Sequence, residues 1–154
     1  MEKFDNVEDL EKYLLKYIDI NSYKNCSEHI SKWISYYKQM NCNVKILFLM
    51  KFKKISIKFH WIYIELSKFF ERKNKKDISL FILKKALKTN VYDKKVLFDE
   101  IKKYPNIIPA EFSKAHNYLN PVGFFVLGKN GMNIKLNIIM IRIYLHIFHL
   151  KNID

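Results

Sequence analysis

An all-α fold of short antiparallel helix pairs is what this 154-residue sequence predicts. Three observations predict it. Only three glycines and three prolines punctuate the chain, too few for a turn-rich all-β protein. Apolar residues recur at i, i+3, i+4 and i+7 through most of the chain up to Tyr104. The polar breaks between these runs are only a few residues long, the length that joins neighbouring antiparallel helices. Hydrophobic residues make up 49% of the chain, enough for the core of one domain.

The elements follow in order. Asn6 caps a first helix, "VEDLEKYLLKYI", with acids in its first turn and an apolar face of Val7, Leu10, Leu14 and Tyr17. After "NSYKN", a second helix carries Ile30, Trp33, Ile34 and Tyr37. Asn43 caps "VKILFLMKF", whose continuous apolar run also suits a strand; no partner strand is in sight, so helix is expected. Ser56 is expected to open the fourth helix, "IKFHWIYIELSKFFERK", and "NKK" to separate it from "DISLFILKKALKT". "DKKVLFDEIKKY", stopped by Pro105, and "PAEFSKAHNYL" complete the run.

Such a run invites a search for a repeat. With its last alanine set on Ala86, the tetratricopeptide pattern places aromatics at Tyr63 and Phe70 and large apolar residues at Leu66 and Leu83. Small residues then fall at Ser67, Ser79 and Ala86, and Val91 takes the place of the closing proline. The physical sense is steric. Small residues at 67, 79 and 86 let two helices approach while the aromatics fill the groove. The expectation is therefore a tetratricopeptide-like helical repeat.

Composition and motifs restrict the chemistry. The net charge is +13, yet all but two of the 28 basic residues are lysine, the exceptions being Arg72 and Arg142. With Ile, Asn and Tyr also abundant, codon bias towards A and T accounts for much of that excess, and a nucleic-acid partner is not expected. Between Lys45 and Lys76 aromatics interleave with lysines, but they fall on the inward stripe and are expected in the core rather than stacked on bases. Cys26 and Cys42 lack a second pair or CxxC spacing, which speaks against a disulfide framework or zinc site. No glycine-rich phosphate loop, GxSxG or HExxH occurs. His146 and His149 are three apart without an acidic or thiol neighbour, and Cys26 with His29 reads as chance spacing. Glu65 and Glu71 fall on opposite faces of one helix, Glu71 being expected to pair with local lysines. Neither catalytic residues nor a cofactor or metal is expected. The acidic N-terminus shows no signal peptide.

"YKNCSEHISKW" and "WIYIELSKFFERKNKKDISLFILKKALKT" together resemble the N-terminal tetratricopeptide-like domain of the Bub/BubR/Mad spindle-checkpoint proteins. Tyr23, Asn25, Ile30 and Trp33 match that family's "Y-x-N-D-x-R-aromatic-Ile/Leu-x-x-W". Ile62-Tyr63-Ile64, Ser67, Phe70-Glu71, Asn74, Ser79, Leu83 and Ala86-Leu87 continue the register. Roughly residues 5 to 105 are covered. Departures are Cys26 for the family's Asp, Lys54-Ile55-Ser56 for its "GIG" turn and Leu66 for its second Trp, and no KEN degron is present. The resemblance implies a non-enzymatic adaptor at kinetochores in the nucleus, a monomer that docks a short motif of an outer-kinetochore scaffold protein. The positions matching the family's docking contacts are Trp33, Tyr36, Gln39 and Met40, with Leu47 and Met50 on the next helix. A half-a-TPR-type RNA-processing protein using the lysine surface is the alternative, and a fragment or regulatory subunit of a kinase the third reading.

The expected domain spans 5–120, and residues 128–154 form an apolar and basic tail. From Gly128 to Ile153 there is no Asp or Glu. Arg142 near the middle of "NIKLNIIMIRIYLHIFHL" opposes a membrane span, so no membrane is expected. The "GK" at 128–129 suits an in-frame splice donor, and the rest reads as translated A/T-rich intron.

Overall fold

The computed structural model describes the backbone of residues 3–119 and the side chains as far as Ala115. The chain divides into two compact units, Met1–Glu111 and Phe112–Asp154. The first holds α1 (Val7–Lys16), α2 (Ser27–Gln39), α3 (Val44–Phe52), α4 (His60–Arg72), α5 (Lys76–Leu87) and α6 (Lys94–Ile101). In the second, α7 (Phe112–Leu119) is the described element. The fold is all-helical: no strand occurs among the described residues. The expected span 5–120 crosses the boundary between the units, while the tail at 128–154, with His146 and His149, lies outside the described residues. None of the described helices is long and apolar enough to cross a membrane.

Local chemistry sets the helix starts. The Asn6 side chain accepts from the Asp9 N–H at 2.8 Å, and Glu8 and Asp9 lie where the helix dipole favours acids. Asn43 accepts from the Lys45 N–H at 3.0 Å and turns "VKILFLMKF" into helix rather than strand. Every residue from Lys45 to Met50 is buried. This explains the missing polar face in the sequence: a helix covered on all sides has no amphipathic period.

Helix α4 starts three residues later than expected, at His60 rather than Ile57. Ser56 adopts a left-handed backbone (φ 67°), as does Lys54 (φ 59°), so the chain turns there and becomes helical only at His60. These two residues flank Ile55, which is 1% exposed. The turn is pinned by backbone contacts. The Ile55 N–H donates to the Met50 carbonyl at 2.7 Å, and the Ser56 N–H donates to the Lys24 carbonyl at 2.7 Å. The Lys58 N–H donates to Asn25 Oδ1 at 3.2 Å, and the Lys58 carbonyl accepts from the Tyr92 N–H at 2.8 Å.

The packed pairs are α1 on α2, α3 on α4, α4 on α5 and α5 on α6, with α6 returning to α4. Tyr63, Leu66, Ser67, Phe70, Ser79, Leu83 and Ala86 are all buried in the α4–α5 pair. Ser79 Oγ donates across it to the Ser67 carbonyl at 2.7 Å, so the small side chain both permits close approach and satisfies its own hydroxyl. The Tyr104 hydroxyl donates to Glu71 at 2.8 Å and lies 3.4 Å from Ser67 Oγ. Glu71 was expected to pair with local lysines. It is instead taken by this phenol, because the segment after α6 returns to the end of α4. Glu65 makes an ion pair with Lys68 at 3.6 Å.

Two stability predictions follow from this packing. Ser56 is fully buried, and its hydroxyl has no partner among the described residues. Ser56→Gly removes that hydroxyl and the left-handed penalty together, and is expected to stabilise the fold by roughly 1–2 kcal/mol; a urea midpoint that does not rise rejects this account of the turn. Ser79→Ala is expected to cost about 1 kcal/mol, whereas Ser79→Leu should cost roughly 1–3 kcal/mol more through overpacking. Equal losses in the two variants would argue against close helix approach at this position.

Candidate functional site

Helix α2 is the centre of the candidate site, because it carries the residues expected to meet a partner. At about 100° per residue, its buried residues fall in one arc centred on Trp33. Tyr36, His29 and Met40 lie to one side and Tyr37 and Ile30 to the other. Trp33, Tyr36, Tyr37, His29 and Ile30 are buried, Met40 is half-buried, and Ile34, expected on the core face, is also only half-buried. The core face is thus turned from Ile34 towards Trp33.

That rotation separates the six expected contact residues. Trp33 and Tyr36 are 1% and 3% exposed, and Leu47 and Met50 on α3 are fully buried. Gln39 is exposed and Met40 half-exposed. Of the six positions, Trp33, Tyr36, Leu47 and Met50 therefore belong to the core in this structure, and Gln39 and Met40 are the accessible ones. The Tyr36 hydroxyl donates to Glu11 Oε1 on α1 at 2.6 Å, and burial followed by this contact pushes its phenol above the ordinary range. Tyr37 faces the other way. Its ring meets Trp61 edge-on at 5.5 Å, and its hydroxyl lies 3.4 Å from Glu65 on α4. Helix α2 is covered by α1 on one flank and α4 on the other. Periodicity predicted a face for α2; it could not count the neighbours that cover it.

What remains open is the back of α2. Ser27, Ser31, Ser35 and Gln39 recur every four residues along it. With Lys3 and Phe4 before α1 and Leu10 on it, they line a groove of about 540 Å³ that Glu28 and Lys32 also border. Gln39 Nε2 donates to Ser35 Oγ at 3.0 Å, and Ser31 Oγ donates to the Ser27 carbonyl at 2.9 Å, so the floor is polar but internally satisfied. Lys32 stands 3.8 Å from Glu28 and 4.7 Å above the Tyr13 ring. Sequence reasoning missed this groove, although "S-x-x-x-S-x-x-x-S-x-x-x-Q" within the helix was its available signal.

Behind the groove lies a buried imidazole. His29 is 2% exposed, between the rings of Tyr13 and Tyr23 at 5.8 and 5.1 Å. Its Nε2 accepts from Trp33 Nε1 at 3.2 Å, while Nδ1 has no partner among the described residues. An acceptor at Nε2 requires the neutral ring. Cys26 sits at the N-cap position of α2 and His29 is engaged with Trp33, an arrangement that offers no thiolate–base pair. Among the described residues no cluster of His, Cys, Asp or Glu could hold a metal ion.

Burial, and secondarily the charge of Lys32, holds His29 below its ordinary value of 6.5. The unfolded chain therefore binds a proton here that the folded chain resists. Stability is full above about pH 6.5 and is lost as pH falls from there through the lowered folded value. His29→Gln keeps an acceptor for Trp33 without titrating. Urea unfolding at a series of pH values is expected to show a smaller acid loss for His29→Gln than for the natural chain; parallel curves would reject the assignment.

No curated protein and no solved structure matches the chain. A family described as "Mad3/BUB1 like region 1 protein" does match, over residues 14–140. The match runs through Asn25, the Trp33 helix, the turn at Lys54-Ile55-Ser56 and the α4–α5 pair. With most of its length covered by that match, and with the all-helical architecture described above, the chain belongs to the Mad3/BUB1 region 1 family.

Proposed function

We propose that this chain is a non-enzymatic adaptor of the mitotic spindle checkpoint, acting at kinetochores in the nucleus as a monomer. It docks a short, amphipathic, partly helical motif of an outer-kinetochore scaffold. The observation that carries this reading is the groove on the back of α2 in a member of a checkpoint family. Of the positions that match the family's docking contacts, Gln39 lines the groove and would touch the motif directly, while Met40 is half-buried beside the core arc at the end of α2. Tyr36 ties the helix to α1 through Glu11, while Trp33 and His29 are joined within α2 itself. Leu47 and Met50 are fully buried in α3 and would not touch the motif in this conformation. Leu10 and Phe4 supply the apolar wall that would receive an apolar residue of the motif, and the serine floor would let a helix approach closely.

The test uses the full chain and a fluorescent peptide carrying the amphipathic motif of an outer-kinetochore scaffold. Ser31→Arg with Ser35→Arg fills the groove from exposed helix positions. It is expected to weaken binding at least about tenfold with an unchanged unfolding midpoint. Binding should also fall only weakly with salt, in contrast to the steep loss of an RNA complex. Undiminished peptide binding by the double variant removes α2's outer face from the function.

A further inference from the structure

The two ends of the helix array differ in charge. At one end lie the start of α4, the end of α5 and the start of α6, held together by the hydrogen bond from the Tyr92 N–H to the Lys58 carbonyl at 2.8 Å. At the other lie the end of α4, the start of α5 and the end of α6, held by Tyr104 on Glu71 and by the Ala110 N–H on the Asp77 carbonyl. The second end mixes signs. Glu71, Asp77, Asp99 and Glu100 stand among its lysines, and Lys103 reaches Glu100 at 2.8 Å. At the first end, sequence segments 51–64 and 78–98 contain a single carboxylate, Asp93. Lys54, Lys58, Lys88, Lys94 and Lys95 are all exposed there, and none pairs with a carboxylate among the described residues. Codon bias explains how many lysines the chain has. It does not explain why carboxylates are many at one end and few at the other, where Lys53 is paired with Asp19 at 2.7 Å and Asp93 stands alone in its segment.

An exposed aromatic residue stands amid these charges. Tyr92 is 55% exposed and meets the Phe59 ring edge-on at 5.3 Å. Its backbone is tied to Lys58, which is tied in turn to Asn25. The ring is thus fixed on a pinned loop, flanked closely in sequence by Lys88, Lys94 and Lys95.

We propose that this end of the array is a second interaction surface, which binds an acidic peptide segment carrying one aromatic or large apolar residue. Charge complementarity names the sign of the partner. Unpaired lysines attract a run of Glu and Asp without demanding a fixed geometry, because an ammonium is a point charge. The ring pair of Tyr92 and Phe59 supplies the place where the apolar residue registers. A peptide is favoured over single-stranded nucleic acid for two reasons. Successive bases need successive stacking platforms, whereas the ring fixed among these lysines is Tyr92 packed on Phe59, and the other exposed ring of these helices, Phe98, lies in the middle of α6. The planar, bidentate recognition of phosphate is the work of arginine, and Arg72 lies at the opposite end. This surface is separate from the groove on α2, so the two proposals stand or fall independently.

The test titrates the full chain with a fluorescein-labelled peptide rich in Glu and Asp with one central Phe. A counterpart with Gln and Asn in place of the acids, and an oligouridylate of equal charge, are titrated beside it. The acidic peptide is expected to bind and the neutral one not. Lys58→Glu with Lys94→Glu should weaken binding roughly tenfold and Tyr92→Ala about threefold. Lys73→Glu with Lys76→Glu, the same charge change at the opposite end, should change it little. All these positions are exposed, and thermal unfolding checks that each variant is folded. Equal losses from the two charge reversals would reduce the effect to net charge and overturn the proposal. So would tighter binding of the oligouridylate, or a complete lack of peptide binding by the folded natural chain.

Discussion

The first unit depends on a short relay of hydrogen bonds that holds three helix starts at one level. Lys24 accepts from Ser56, Asn25 accepts from Lys58, and Lys58 accepts from Tyr92. These are the residues just before α2, α4 and α6, three helices that alternate with α3 and α5. Each helix could slide along its neighbour by a turn while keeping some apolar contact, because i and i+4 rows repeat along its length. The relay removes that freedom. It satisfies backbone groups that a turn would otherwise leave open, and its donors and acceptors meet in one register. Ser79 on the Ser67 carbonyl and Tyr104 on Glu71 add a second fixed level farther along α4.

The relay imposes a backbone cost that the composition makes hard to avoid. To carry Lys24, Ser56 and Lys58 past one another, the chain turns through left-handed residues at 54 and 56. Related family members place glycine at such positions, by the resemblance of "GIG" to Lys54-Ile55-Ser56. This chain has three glycines in all and fills its described left-handed positions with other residues: Asn41, Asn74, Asn106 and Asp93, which tolerate the conformation, but also Cys42, Lys54 and Ser56. Burial of Ile55 and the backbone bond from Ser56 to Lys24 offset the strain. The left-handed backbone at 54 and 56 is the conformation glycine adopts most readily, and this chain reaches it with lysine and serine.

The same distinction decides what was legible in the sequence. Helix existence was, because apolar spacing and the Asn6 and Asn43 caps act within one segment. The α4–α5 interface was partly legible too, since a small residue facing a small residue is a steric statement about two segments. The start of α4 was not. Ser56 reads as a helix cap when only its neighbours are considered, and the hydrogen bond that turns it left-handed comes from Lys24, far back in the chain. The exposed side of α2 was not legible for a related reason. Trp33 and Tyr36 look surplus beside Ile30, Ile34 and Tyr37 only if one neighbouring helix is supposed; with α1 and α4 on both flanks, all those aromatics find cover.

The crowding of α2 also shapes what a functional surface on it can be. A helix buried over about a third of its circumference has side chains left for solvent only on its back, and here those are serine, glutamine, Lys38 and a Glu–Lys pair. Such a surface contributes little apolar area of its own. Any partner held there must draw its apolar contact from Leu10 and Phe4 across the groove, so the position of α1 becomes part of the site. Tyr36 on Glu11 sets that position, since it joins the two helices at 2.6 Å. The aromatic that is too buried to touch a ligand therefore still governs the width of the groove. A substitution at Tyr36 would change binding through the placement of α1, and a binding defect there, taken alone, would not identify a contact residue.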